Sequence, residues 1–327
     1  MLSTVLGALL PIVVTMLLGF IAAWHHDFNE KQASTLNRMV LLYAVPMGLF
    51  AGTVSTRRDV LGQDIPLVIA LCAAIIGAYV VVFLFSRFAF RATISISAMA
   101  ALAVSAPAVP FIGPVVLGDL FGTASAVPIG IASLIINLTV VPVTILLLSL
   151  DAKQQSTQGG AVSPDSENLQ RGYAVLASML FKTVRQPIVW APVIAFAIVL
   201  AGIRIPSLLV HSFTLLGQAA GGVALFASGI ILASGRLTIS RSVVTVVALK
   251  NIVPAALVLV ALRFLAYPNP IVSQAVLTTA IPMMPILIML AMQYQVAQAE
   301  AAAEVFLSSV SSVITMGAFI ALTSQLT

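Results

Sequence analysis

Long apolar runs separated by short polar breaks dominate the chain, without the strict alternation that marks the strands of a membrane barrel. Ten such runs stand out, near residues 4–24, 36–55, 65–86, 92–121, 125–150, 186–203, 207–234, 242–264, 270–296 and 301–324. Each is rich in Leu, Ala, Val and Ile, and most hold about 20 residues, enough to carry a helix across a hydrocarbon core. The pattern predicts an all-α membrane protein of ten transmembrane helices. The longest hydrophilic stretch, Asp151 to Gln170, holds Gln, Ser, Gly, Asp and Pro and predicts a flexible linker, placed at 151–172. After it, Arg171 to Arg185 reads as an amphipathic lead-in helix, with Lys182 and Arg185 at the membrane surface. Met1 to Ala23 has no basic start and no small-residue cleavage motif before His25 and His26, so it reads as a retained first span rather than a signal peptide.

The two sides of the linker match each other. Pro11-Ile12-Val13 recurs as Pro187-Ile188-Val189, and Leu49-Phe50-Ala51 as Leu225-Phe226-Ala227, both at an offset of 176 residues. Pro107-x-x-Pro110 recurs as Pro282-x-x-Pro285 at an offset of 175. Three matches in order at one spacing predict an internal repeat, with residues 1–150 as the first copy and 173–327 as the second. Five spans per copy is an odd number, so the second copy enters the membrane upside down, the inverted arrangement of many secondary transporters.

The repeated prolines fall in the middle of spans four and nine. A proline inside a helix removes a hydrogen bond and clashes with the preceding turn, at a cost of about 3 kcal/mol. Pro107, Pro110 and Pro114 in one span, and Pro282 and Pro285 in the other, predict broken helices. Non-helical backbone at membrane depth is tolerated only where protein buries it or a cavity is lined by it. Inverted symmetry brings the two breaks together near the midplane. The second half-helices, expected to start near Pro114 and Pro285, then point their N-termini inward from opposite sides. Such ends present N–H donors and about half a positive charge, which suits an anion. Ser105, Pro107, Ala108, Pro110 and Gly113 on one side, with Pro282, Met283, Met284 and Pro285 on the other, are the candidate substrate-binding residues.

Composition sharpens this picture. Of 327 residues, 61% are hydrophobic and 8% charged, against roughly 25% charged in soluble domains. The net charge is +5, and its distribution favours topology over nucleic acid. Alternate loops carry ten basic residues on one side, including Lys31, Arg87, Lys153 and Arg236, and four on the other, Arg57, Arg58, Arg204 and Arg263. The richer side holds the linker. The positive-inside rule therefore predicts a cytoplasmic linker and both termini outside. One cysteine, Cys72, excludes disulfides and cysteine-based metal sites. No cofactor is implied.

Polar residues inside the spans are few. Lys250 lies about nine residues into span eight, so it either meets an anionic substrate, ties the broken helices together, or snorkels to the surface. Asn137 in span five and Gln218 in span seven either line a cavity or bond between helices. Ser308, Ser312 and Thr315 share one face of span ten, and Gln293 to Gln295 follow the second break. All ten Asp and Glu lie in loops or near span ends, Asp119 and Glu304 closest to the membrane, so no mid-membrane carboxylate offers itself as a proton carrier. The three histidines, His25, His26 and His211, lie near span ends, and no His-Glu-x-x-His occurs, which argues against a membrane enzyme.

These features resemble the auxin efflux carrier family, including its bacterial malonate-type transporters. The resemblance rests on Leu10-Pro11-Ile12-Val13, Leu18-Gly19-Phe20, Leu36-Asn37-Arg38, Tyr43-Ala44-Val45-Pro46 and Pro110-Phe111-Ile112-Gly113. It continues in Lys250-Asn251-Ile252-Val253-Pro254, Ile281-Pro282-Met283-Met284-Pro285, Leu290-Ala291 and Tyr294. It implies ten helices, a scaffold domain, and a transport domain with crossed broken helices, a fold shared with bile-acid sodium symporters and sodium/proton antiporters. Where many members carry asparagine before Phe-Ile-Gly, this chain has Ala108, and the comparable position in span nine falls near Ile286. The resemblance implies transport of a small organic anion, a malonate-like mono- or dicarboxylate, with sodium or proton coupling left open. A sodium-coupled symporter of the bile-acid type and a non-transporting sensor of the same fold are the alternatives. The expected partners are that anion, the lipid bilayer and a second copy joined through the scaffold helices; nucleic acid is not expected.

Overall fold

A computed structural model describes residues 2–55, 65–158, 187–203, 205–234 and 239–324. The regular structure within them is helical, apart from one bridged residue pair. In chain order the helices are α1 (Leu2–Trp24), α2 (Glu30–Val54), α3 (Ile65–Ala89), α4 (Ile94–Ser105), α5 (Val109–Phe121) and α6 (residues 126–158). They continue as α7 (Pro187–Ala201), α8 (Ser207–Ser234), α9 (Arg241–Phe264), α10 (Asn269–Ala280), α11 (Ile286–Tyr294) and α12 (Gln298–Ser324). Among the described residues six helices (α2, α3, α6, α8, α9 and α12) are long and apolar enough to cross a membrane, and α4, α7 and Val13–Trp24 are shorter apolar helices.

Helix boundaries depart from the hydropathy pattern where polar residues have local reasons to be helical. α2 starts six residues before the expected apolar run. Asn29 caps it, accepting from the Gln32 N–H at 3.1 Å, while the Gln32 side chain accepts from the Asn29 N–H at 2.9 Å. α6 runs on to Gln158, eight residues into the stretch expected to be linker. The segment Asp151–Gln158 holds no Gly or Pro, and Gly159-Gly160 is the first strong breaker. The rest of the linker and the expected lead-in helix over 171–185 lie outside the described residues.

Several prolines sit inside helices without breaking them, among them Pro11, Pro192 and Pro254, and two more follow a π turn. A π turn over Val40–Ala44 precedes Pro46 in α2, and another over Ile136–Val140 precedes Pro142 in α6. In each, the N–H just before the proline reaches back five residues, from Val45 to Val40 O and from Val141 to Ile136 O. The wider turn moves aside the carbonyl that the proline ring would otherwise meet.

The helices pack as two groups. α8 lies along α1 and α2, and α7 lies on α2. The other group pairs α3 with α4, α4 with α6, α9 with α10 and α12, and α10 with α12, and is closed by α9 on α4 and α10 on α3. We call the first group the four-helix layer and the second the core. They meet where α12 touches α1 and α8, α5 touches α1, and α11 touches α2 and α8. The α11 side chains from Ile286 to Met292 are all buried, so this short helix has no lipid-facing side over that length.

Backbone contact holds the four-helix layer together. A Cβ on Gly217 of α8 would stand 2.3 Å from the Gly48 Cα of α2, and one on Gly229 would stand 2.0 Å from the Met16 carbonyl oxygen of α1. Only glycine permits this approach, a common device where helices associate without a hydrophobic driving force. Gly229→Ala is expected to force α1 and α8 apart and destabilise the protein by about 1–3 kcal/mol. Gly77→Ala, where nothing lies within 4 Å of the added carbon, should leave the melting temperature unchanged or raise it. Thermal unfolding of the purified protein in detergent measures both.

Candidate functional site

α4 ends at Ser105 and α5 begins at Val109; α10 ends at Ala280 and α11 begins at Ile286. The two gaps lie against each other. Pro107 and Met283 form an antiparallel bridge, flanked by the Ala108 N–H donating to Pro282 O at 2.8 Å and the Met284 N–H donating to Ala106 O at 3.1 Å. Neither Pro107 nor Pro282 has an N–H, and the register uses neither as a donor. The Val109 N–H turns back to Pro107 O at 2.8 Å, with Ala108 at φ −73°, ψ 43°, close to an inverse γ-turn. Each broken strand thus supplies what the other lacks.

The donor that this pairing leaves over, the Met283 N–H, bonds to the Ser308 hydroxyl of α12 at 3.1 Å. The Ser308 hydroxyl in turn donates to Asn251 Oδ1 at 2.6 Å, and Asn251 Nδ2 donates to Ser308 O and Ser311 Oγ, both at 2.9 Å. Next to it in α9, the Lys250 ammonium is 1% exposed and donates to Thr279 O at 3.1 Å. Thr279 lies in the last turn of α10, where the helix presents partial negative charge and free carbonyls. The snorkelling reading of Lys250 therefore fails, and the residue ties α9 to the end of a half-helix. At the other charged position, Asp151 Oδ2 of α6 accepts from the Ser95 N–H at 3.2 Å, in the first turn of α4. A carboxylate at a helix start offsets the positive end of the dipole, and the Lys250 Nζ supplies a donor to a carbonyl at a helix end.

At the N-termini of α5 and α11 the cap residues are Ala108 and Pro285, and neither makes a side-chain cap bond, as is also so of Pro268 before α10. α5 begins at Val109, five residues before the expected start near Pro114, because Pro110 stands in the first turn, where a proline costs no hydrogen bond.

Of the other expected site residues, Ser105 is buried with its hydroxyl unpartnered, and Gly113 is buried with the Ile129 and Val109 side chains close to where its Cβ would stand. Asn137 is buried in the π turn of α6, with Oδ1 unpartnered. Gln218 is exposed on α8, a member of the four-helix layer, and is not among the residues that meet at the crossing. α11 closes with Gln295 in the left-handed region, its amide bonded to Met292 O at 2.8 Å, while the Tyr294 hydroxyl meets Ser149 of α6 at 3.0 Å. These residues finish a helix in the ordinary way. An open cavity of about 880 Å³ lies elsewhere, between the end of α2 and the start of α8, lined by Ser55, Ser207, His211 and Thr214 among others. Among the described residues no three His, Cys, Asp or Glu cluster as a metal site would require.

Sequence reasoning missed two contacts. Asp151 was placed in the linker, and Asn37, quoted only as part of a motif, donates from α2 to Met289 O in α11 at 3.0 Å. Neither spacing nor hydropathy announces a bond between residues 252 positions apart.

Long apolar helices around two interlocked breaks describe an integral, multi-pass membrane protein. The pattern of the family described as membrane transport protein matches residues 4–320, and the chain belongs to that family, which includes the auxin efflux carriers. It is 33% identical over 267 residues to an uncharacterized transporter, YfdV, of Escherichia coli strain K12, a match covering 80% of this chain and 79% of the relative. The YfdV proteins of Escherichia coli O157:H7 and Shigella flexneri match equally well.

Ser308→Ala is expected to leave the Met283 N–H buried without an acceptor and to destabilise the protein by about 1–3 kcal/mol, with Ser308→Thr losing less. Thermal unfolding in detergent reads the difference.

Proposed function

We propose that this chain is a secondary transporter that carries a small organic anion, a malonate-like mono- or dicarboxylate, by alternating access at the crossing of the broken helices. In this reading ten spans form two inverted five-helix repeats, with both termini outside and the central linker in the cytoplasm of a bacterial cell.

Several features support the inverted repeat. If α1 corresponds to α7, α2 to α8, α3 to α9, α4 to α10 and α6 to α12, contacts in one half have counterparts in the other. α1 on α8 matches α7 on α2, α3 on α4 matches α9 on α10, α4 on α6 matches α10 on α12, and α9 on α4 matches α3 on α10. Ser97 and Ser273, both buried with unpartnered hydroxyls, stand 176 residues apart, at the offset of the repeated triplets.

The observation that carries the functional reading is the crossing itself. Lys250 is committed to the end of α10 and Asp151 to the start of α4, while the starts of α5 and α11 have no side-chain cap. Two helix starts with positive partial charge fit a carboxylate better than a cation. Membership of a transporter family supports movement of a solute over catalysis.

The test is uptake of radiolabelled malonate into proteoliposomes. Saturable uptake is expected, and it should fall to background in the double variants Pro107→Ala/Pro110→Ala and Pro282→Ala/Pro285→Ala while those proteins remain folded. Full uptake in folded proline variants would overturn the role of the crossing. No uptake of malonate or of other small carboxylates by the folded parent would overturn the substrate class.

A further inference from the structure

The hydrogen bonds that join different elements are unevenly distributed. Within the core, α3 is tied to α6 by Tyr79 and Thr144 at 2.9 Å, and α6 to α11 by Ser149 and Tyr294. α9 is tied to α10 by Lys250 and to α12 by Asn251 and Ser308, and the two breaks are tied to each other. The four-helix layer is joined internally by glycine contacts. Of all the side-chain bonds described between elements, one crosses from the layer to the core: Asn37 Nδ2 of α2 to Met289 O of α11, at 3.0 Å.

The bond is well placed to act and easy to release. Asn37 is 3% exposed, so its amide has little water to turn to while the bond holds. Its partner is a carbonyl inside α11, which has a second lone pair for its helical donor, so separation leaves that helix intact. Asn37 also lies three residues before the π turn of α2, in a span whose hydrogen-bond pattern is already irregular.

We propose that Asn37 is a positioning residue that latches the core to the four-helix layer in the arrangement seen here, and that its bond to Met289 breaks each time the core moves. The proposal rests on the alternating-access reading above, but its test needs no substrate.

The experiment is single-molecule FRET on the full chain in liposomes. Dyes sit at Leu208→Cys on α8 and Phe264→Cys on α9, both exposed, in a Cys72→Ser background. Two interconverting FRET states are expected. Asn37→Leu, which fills the space without a donor, should shorten the dwell in the state seen here about fivefold, the scale of one buried hydrogen bond. Asn37→Gln, which keeps the carboxamide, should bring the dwell back towards the parent value. If Asn37→Leu does not fold, Asn37→Ser, too short to reach the Met289 carbonyl, carries the same expectation. Unchanged dwell times in Asn37→Leu would overturn the latch, and equal shortening in Asn37→Gln would replace it with a packing role. A single state in parent and variants would overturn both the latch and alternating access. Two states with the expected dwell changes but no malonate uptake would leave the latch standing and remove the substrate assignment.

Discussion

Backbone N–H and C=O groups have no water to bond with in a hydrocarbon core, so any break in a membrane helix has to find its partners in protein. This chain contains two breaks, and each is the other's partner. Ala108 donates across the gap to Pro282 and Met284 donates back to Ala106, around the bridge of Pro107 and Met283. The prolines that interrupt the helices lie in this register at positions where a missing N–H is not needed. The remaining donor, on Met283, is met by Ser308, and Ser308 is held by Asn251. The packing of α4, α9, α10 and α12 follows from the need to enclose that pairing.

The same constraint explains the scarcity and placement of charge. Lys250 and Asp151 do not stand free in a cavity; Asp151 accepts from the first turn of α4 and Lys250 donates to a carbonyl in the last turn of α10. The starts of α5, α10 and α11 carry no side-chain cap, and those of α5 and α11 lie beside the crossing.

Much of this was legible in the sequence because proline and hydropathy act locally. Pro107, Pro110, Pro282 and Pro285 announced both breaks, and the repeat offset announced that they belong together. Lys250 and Ser308 stood out as polar residues within apolar runs, and both take part in holding the second break. Other features were hidden because they depend on context. The start of α5 at Val109 turns on whether Pro110 falls in a first turn or an interior turn, and the residue types alone do not distinguish these. Pro46 and Pro142 do not break their helices, because a π turn before each lets the helix continue, and residue type alone does not reveal such a turn. Asn37 is one polar residue among several near the start of α2, and only the packing of α11 against it gives it a partner. Gln218 in span seven could line a cavity or bond between helices by its position alone, and it is exposed on α8.

The central claim is that the two breaks satisfy each other's backbone groups at the crossing. Amide hydrogen exchange of the protein in lipid nanodiscs, resolved to residues 104–112 and 281–289, tests it most directly. The account predicts that the Ala108 and Met284 amides exchange as slowly as amides in the interior of α9, although both lie outside helices. Exchange at these two amides as fast as in the turn at residues 295–297 would contradict it.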